Sequence, residues 1–370
     1  MKDLQTLRAE IDAIDTQLVK LFEARMACAR GVADYKMANH LPILDTSREK
    51  QVIASRVARL EDASLAGATQ KLFEELMALS RAEQQKRIAQ TPGEESGIAY
   101  CGVPGAYGDE ACVGFFGEDC RRISKGSFED VFRAVTSGEA RYGVLPIENS
   151  SAGSVNDNYD LLGRYGCHIV GEYILPVRHC LLGVPGAKEE EIAVVYSHEQ
   201  ALTQCAQFLD AHASWRRIPY YNTAASAKMV AEAGDRTQAA LASRLAAKYY
   251  GLEILREGVN TRTDNFTRFI IVSAQPEPVE APDKATITFT LRHERGTLHR
   301  ALACFVALGM NMMRIESRPN EVSWEYRFYV DLSGNVSPKY MDVLLESLRA
   351  DCIDCRLLGV YRANGGQTHA

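Results

Sequence analysis

The 370-residue sequence has no window of the roughly 18 unbroken apolar residues that a membrane-spanning helix needs, so a soluble chain with no membrane partner is expected. Its opening residues, Met1 to Glu10, mix charges with isolated leucines. They lack the apolar core and small-residue cleavage site of a signal peptide, which points to a cytoplasmic protein. There is no basic excess either. Against 48 Asp and Glu stand 42 Lys and Arg, a net charge of -6, which argues against nucleic acid as the main partner. The ten cysteines are scattered through apolar stretches and form no disulfide framework. Cys352 and Cys355 make one C-x-x-C, but no second pair or nearby His completes four ligands, so structural thiols are expected and no metal. Neither G-x-G-x-x-G nor a P-loop occurs, and no nucleotide is expected.

Apolar residues at 46% and charged residues at 24% are ordinary for a globular protein, and the length favours two or three domains. Three rhythms divide the chain. From Leu4 to about Lys36, apolar residues recur at spacings of three and four with no Pro, which predicts one long amphipathic helix. Pro42 ends it. Thr46-Ser47-Arg48-Glu49 has capping-box form and opens a second helix, and a third runs from about Leu65 to Arg87. Beyond the linker-like Gln90–Gly97, short apolar runs alternate with helical stretches, which predicts a parallel α/β domain. A second linker, Ser273 to Pro282, is rich in Pro and Glu. After it, strands at Thr286–Thr290, Met312–Ser317, Tyr326–Asp331 and Arg356–Tyr361, with helices at Leu298–Leu308 and Met341–Leu348, give the β-α-β-β-α-β order of a ferredoxin-like α+β domain. The expected boundaries are 1–90, 96–273 and 284–363.

On the first helix Arg8 and Arg25 are 17 residues apart, about 25 Å along the axis, too far to hold one small ligand. Arg25 and Lys36 are about 16 Å apart and point almost the same way. A site including Arg8 therefore needs a second chain. Ser80 and Gln84, at i and i+4, share one face of the third helix. Singly, these are an ordinary charged face on a helical dimerisation module. As a set, Leu7-Arg8-x-x-Ile11-x-x-Ile14-Asp15, Arg25, Lys36, Asp45-x-x-Arg48-Glu49 and Ser80-x-x-x-Gln84 closely resembles the all-helical chorismate mutase family over residues 1 to about 90. The resemblance implies an intertwined dimer whose site takes Arg8 from one chain and the other groups from its partner. It implies a pericyclic rearrangement of chorismate to prephenate, which needs a held conformer and charge stabilisation but no cofactor. Arg8 and Arg25 would clamp the two carboxylates, Lys36 and Gln84 would address the ether oxygen, Asp45 and Glu49 the hydroxyl, and Arg48 and Ser80 would complete the carboxylate shell.

In the central segment an apolar run enters a polar or Gly-rich turn four times, after Cys101, Ile147, Tyr196 and Ala242. Ligands of open parallel sheets bind outside the carboxyl ends of strands, so these turns are expected to line one cleft. His198 alone reads as a core or capping histidine, and Arg268 alone as readily as a structural ion pair. Together, Gly102-x-x-Gly105-Ala106-Tyr107, Leu145-Pro146-Ile147-Glu148-Asn149-Ser150, Tyr196-Ser197-His198-x-Gln200-x-x-x-Gln204, Thr223-x-x-Ser226 and Asn265-Phe266-Thr267-Arg268-Phe269 resemble prephenate dehydratase over about residues 96 to 272. The resemblance implies two α/β lobes, like those of periplasmic solute-binding proteins, with prephenate between them. Thr267 would donate a proton to the leaving hydroxyl and Arg268 would anchor a carboxylate. Asn149, Ser150, Ser197 and Gln204 would position the substrate with Thr223 and Asn265 beside them, and Glu148 would orient these groups. The chain departs from the family pattern at Gly108, where Ser often stands, and at Asn222, where an acid often precedes Thr223.

In the last segment Gly296-Thr297-Leu298 and Glu316-Ser317-Arg318-Pro319 are, by themselves, a helix start and a strand exit. Behind a dehydratase-like segment they resemble the two motifs of the ACT regulatory domain, which implies L-phenylalanine as effector, bound between paired domains. The whole reading is a multidomain, bifunctional enzyme of phenylalanine biosynthesis, a homodimer or dimer of dimers. A dehydratase that prefers arogenate and a non-catalytic amino-acid sensor with the same three parts stay open at this point.

Overall fold

A computed structural model of the chain describes residues 3–39, 46–90, 97–319 and 325–363. One of its two compact units is built on three helices and the other on three sheets. In the first, α1 (Leu4–Ala38), α2 (Thr46–Val57) and α3 (Ala66–Gln90) match the expected helices. The C-terminal half of α1 buries Met26, Ala29 and Ala33. Its N-terminal half does not: Leu4, Leu7, Ile11, Ile14, Leu18 and Leu21 are 42–67% exposed, a long apolar stripe facing solvent. Among the described residues no helix is long and apolar enough to cross a membrane.

The second unit begins with β1 (Gly97–Cys101), α4 (Tyr107–Phe116), β2 (Arg122–Lys125), α5 (Phe128–Ser137), β3 (Ala140–Asn149), β4 (Gly153–Ser154), α6 (Asn156–Tyr165) and β5 (His168–Pro176). The chain then crosses to a second lobe made of β6 (Cys180–Gly183), β7 (Val194–Ser197), α7 (Glu199–Gln204), α8 (Ala206–Asp210), β8 (Arg216–Pro219), α9 (Thr223–Ala233), β9 (Gln238–Ala242), α10 (Arg244–Tyr250) and β10 (Glu253–Arg256). It returns as β11 (Phe266–Ser273), which inserts between β3 and β5. The first-lobe sheet runs β2-β1-β3-β11-β5, with β4 paired to β3, and the second β10-β6-β9-β7-β8. The expectation of a purely parallel domain is thus corrected. Strands β1, β2 and β3 are parallel, as are β7, β8 and β9, but β11 is antiparallel to both its neighbours and β6 is antiparallel to β9 and β10. A returning strand enters its sheet from the opposite end, and its apolar run carries no mark of direction.

Two crossing segments join the lobes and are stitched together. Val177 N–H donates to Asn265 O, the Asn260 side chain donates to Val177 O at 3.1 Å, and His179 N–H donates to Asn260 Oδ1 at 2.7 Å. The Gly102–Gly105 turn lies against α10. Gly105 has φ +83°, a Cβ there would stand 2.7 Å from Ala246 Cα, and its carbonyl accepts from Ser243 Oγ at 2.7 Å.

The chain ends in β12 (Lys284–Leu291), α11 (Thr297–Ala307), β13 (Met310–Pro319), β14 (Tyr326–Gly334), α12 (Pro338–Leu348) and β15 (Cys352–Tyr361). The antiparallel order β13-β14-β12-β15 is the ferredoxin-like arrangement. Strand alternation splits β12: Ala285, Ile287 and Phe289 pack with α11 and α12, while Thr286, Thr288 and Thr290 are buried on the reverse face. That reverse side supplies Tyr329 and Tyr361 to the core of the first lobe. All ten cysteines are free thiols.

Candidate active sites

In the helical unit, α1 and α3 bring part of the expected set together. Half-buried Arg25 donates through Nη1 to Leu76 O at 2.8 Å and to Ser80 Oγ. Burial lowers the Arg25 pKa somewhat, without threatening its charge. Gln84 lies one turn beyond Ser80 on the same face, and its Oε1 is buried with no hydrogen-bond partner. Glu49 is gripped by Arg81 at 2.5 and 2.6 Å, a cation outside the expected set. Lys36 is half-buried and Arg48 exposed. Asp45 lies outside the described residues. Arg8 sits on the exposed half of α1, so one chain does not bring it to Arg25.

Between the two α/β lobes is a cavity of about 760 Å³. Three of the four expected turns line it: Gly102, Ala106, Tyr107 and Gly108 after β1, Asn149 at the end of β3, and His198 and Gln204 on the turn and helix after β7. The fourth, after Ala242, does not, because Ser243 is buried and donates to Gly105 O. Asn222 and Thr223, at the start of α9, complete the lining. Thr267 and Phe269 reach it from β11. His198 is the N-cap of α7, its Nδ1 accepting from Gln200 N–H at 3.2 Å, and Asn222 caps α9 through Ala225 N–H at 2.6 Å.

One hydrogen-bonded chain runs across the floor. Asn149 Nδ2 lies within donating reach of Thr267 Oγ1 at 2.9 Å, Asn265 Oδ1 at 3.0 Å and Phe266 O at 3.1 Å. Asn265 Nδ2 donates to Gln204 Oε1 at 3.0 Å, and His179 Nε2 meets the same oxygen at 3.0 Å. Because Gln204 Oε1 only accepts, His179 carries its proton on Nε2, and Nδ1 accepts from Tyr107 OH at 2.8 Å. Burial lowers the His179 pKa, so the ring is neutral near pH 7, and burial also holds the Tyr107 hydroxyl protonated. His179 sits in Arg178-His179-Cys180 with no motif of its own to mark it in the sequence. Tyr107 was visible only as part of the glycine turn.

Five expected residues do not line the cavity: buried Asn265, which is joined to it through Asn149 and Gln204, and four that sit elsewhere. Arg268 does not line the cavity, because successive strand residues face opposite ways and both Thr267 and Phe269 face it. Its guanidinium is 11% exposed and points to the C-terminal sheet, with Nε 2.7 Å from Glu172 and Nη1 2.5 Å from Asp331. The expected carboxylate anchor is therefore a structural ion pair. Ser197 is fully buried and donates to Leu241 O at 2.6 Å, behind the cavity wall. Ser150 Oγ donates to Asp264 O and accepts from Phe266 N–H, bracing the start of β11. Glu148 is 3.6 Å from Arg314 and 3.9 Å from Arg268, on the side of the C-terminal sheet. Among the described residues no Lys or Arg lines the cavity.

In the C-terminal sheet, Gly296 opens α11 in the left-handed region, Leu298 is partly exposed, and Thr297 Oγ1 bonds to the carbonyls of Arg292 and Glu294. Glu316 and Arg318 turn to the first lobe, where Glu316 accepts from Ser154 Oγ at 2.7 Å and Arg318 meets Asp160 at 2.9 Å. Ser317, between them, is exposed. Ser154 lines the cavity, so Glu316 touches its wall directly.

Comparison with known proteins matches two family models: chorismate mutase type II over residues 7–85 and prephenate dehydratase over residues 98–277. A bifunctional chorismate mutase/prephenate dehydratase of Enterobacter agglomerans is 32% identical over 97% of this chain and 95% of its own. An arogenate dehydratase/prephenate dehydratase of Arabidopsis thaliana is 39% identical over 71% of each chain. The solved prephenate dehydratase of Arthrobacter aurescens, in complex with L-Phe, is 29% identical with TM-score 0.67, covering 74% of this chain and 92% of that one. With both catalytic families matched in one chain and a relative alike from end to end, the chain belongs to the bifunctional chorismate mutase/prephenate dehydratases.

Proposed function

We propose that residues 1–90 rearrange chorismate to prephenate, that residues 96–273 convert prephenate to phenylpyruvate, and that residues 284–363 form an ACT domain through which L-phenylalanine restrains the second step. In the first step Arg25, Ser80 and Gln84 of one chain meet the substrate with Lys36, Arg48, Glu49 and Asp45, and Arg8 comes from a second copy. The exposed apolar stripe of α1 supports this, since a helix surface of that kind is buried by a partner. The protein is then a homodimer or a dimer of dimers, working in the cytoplasm.

The Asn149–Thr267 hydrogen bond carries the reading of the second step. An amide nitrogen only donates, so Thr267 accepts there and its own proton is available to the C4 hydroxyl of prephenate. As that C–O bond breaks, the electron pair of the ring C–carboxylate bond moves into the ring, CO₂ leaves, and the hydroxyl departs with the proton as water. Solvent then restores the proton on Thr267. Phe128, Val144, Val177 and Phe269 give the cavity an apolar side. Among the described residues no cation there stabilises the carboxylate that must be lost, and aromatisation drives the step. Gln204, Asn265 and Thr223 position the remaining polar groups.

Purified protein assayed separately with chorismate, prephenate and arogenate tests the proposal. Turnover of the first two is expected, and no turnover of any would leave a sensor. The Arabidopsis relative gives a specific reason to include arogenate.

A further inference from the structure

Arg268 and Thr267 are neighbours on β11, one turned to the C-terminal sheet and the other to the cavity. Around Arg268 is a nearly dry quartet of charges. Glu172 accepts from Arg268 Nε at 2.7 Å and from Lys284 Nζ at 2.8 Å, and Asp331 of β14 takes Arg268 Nη1 at 2.5 Å. Two cations face two carboxylates, with side-chain exposures of 11% and 14% for Arg268 and Lys284 and of 2% and 6% for Glu172 and Asp331. Asp331 is itself held: its Oδ1 accepts from Thr286 Oγ1 at 2.6 Å, and Thr286 Oγ1 meets Tyr361 OH at 2.7 Å. Tyr361 OH in turn accepts from Arg268 Nη2 at 3.1 Å.

The backbone beside Arg268 is irregular. Arg268 pairs with Glu148 but Phe269 pairs with Pro146, so β3 carries an extra residue, Ile147, opposite that step. A bulge of this kind bends a strand and re-aims the side chains beside it. Thr267 pairs with Asn149 immediately next to the bulge. Arg268, whose tie reaches outside the lobes that form the cavity, and Thr267, which faces the cavity, thus both lie at this bulge.

We propose that Asp331 is a positioning residue for the dehydratase step, fixing Arg268 and, through the bulge, the aim of Thr267. The C-terminal sheet then serves the chemistry even without effector. Without the Asp331 charge the two cations share Glu172, with Glu148 3.9 Å from Arg268, so Arg268 shifts toward these carboxylates and the bulge relaxes. This inference rests on the dehydratase reading above.

The test uses the full chain with kcat and KM for prephenate, near-ultraviolet circular dichroism and thermal unfolding to establish the folded fraction. Asp331→Asn is expected to lower kcat per folded chain by about tenfold or more, with a smaller change in KM. Asp331→Glu is expected to restore part of the loss. In a cycle with Arg268→Met, the second substitution should add little to the kcat loss of the first. Should Asp331→Asn fail to fold, Thr286→Val loosens the carboxylate while keeping its charge, and a kcat loss of a few fold is expected. Wild-type kcat in folded Asp331→Asn, or in Thr286→Val where the first does not fold, overturns the inference, as do losses that multiply in the cycle. A wild-type chain that does not turn over prephenate refutes the function reading instead.

Discussion

Asn149 donates its side-chain amide to the Thr267 hydroxyl at 2.9 Å, which leaves the Thr267 proton to the cavity both residues line. Asn149 Oδ1 in turn accepts from Ser151 N–H and Ala152 N–H at 3.0 Å each, so the same side chain shapes the turn after β3.

Thr267→Ala should lower dehydratase turnover by about 100-fold or more, whereas Thr267→Ser should stay within about tenfold of wild type. Asn149→Ala should fall between them. Steady-state assays with prephenate decide this, and equal activity of Thr267→Ala and wild type would remove Thr267 as donor.

Arg8→Ala should lower mutase turnover by about 100-fold or more and spare the dehydratase, with Thr267→Ala doing the reverse. Mixing Arg8→Ala with an Arg25→Ala chain should recover some mutase activity if subunits exchange, because one of the two shared sites then regains both arginines. Equal loss of both activities in folded single variants would refute separate sites.

Glu110, on α4, is pushed up to about 7 by burial and then by the neighbouring charge of Asp109, with Arg244 offsetting part of it. Its Oε2 has no hydrogen-bond partner. An unfolded Glu titrates near 4.5, so between there and about pH 7 the folded chain keeps a proton that the unfolded chain releases. The stability linked to this group is full below pH 4.5 and is lost as pH rises through 7, by at most about 3 kcal/mol. Glu110→Gln should therefore raise the Tm at pH 8 and leave it nearly unchanged at pH 4.5.

Gly296 has φ +82°, and a Cβ there would lie 3.2 Å from Arg300 Nη1. Gly296→Ala should cost about 1 kcal/mol and weaken the response to L-phenylalanine, measured as inhibition of prephenate turnover. An unchanged inhibition curve would count against this turn as an effector site.

The helices and most strands were legible because their apolar periods are local. The places where the reading failed are not local. Whether Thr267 or Arg268 faces the cavity depends on which side of β11 another sheet covers, and the motif Asn265-Phe266-Thr267-Arg268-Phe269 reads the same either way. An Arg beside the expected substrate anion invites the role of anchor, yet Glu172 and Asp331, distant in sequence, claim it. Ser197 sits in a motif but spends its hydroxyl on a strand carbonyl. His179 gave no signal at all, since its partners Tyr107 and Gln204 meet it only once both lobes are folded.

The insertion of β11 between β3 and β5 also governs the order of assembly during synthesis. The second lobe is contiguous from β6 to β10 and can close as soon as it leaves the ribosome. The first lobe, although it starts earlier, stays open along β3 until residues 266–273 emerge. The later-made half therefore finishes first, and a nascent chain paused before Phe266 exposes an unpaired strand edge open to wrong pairing.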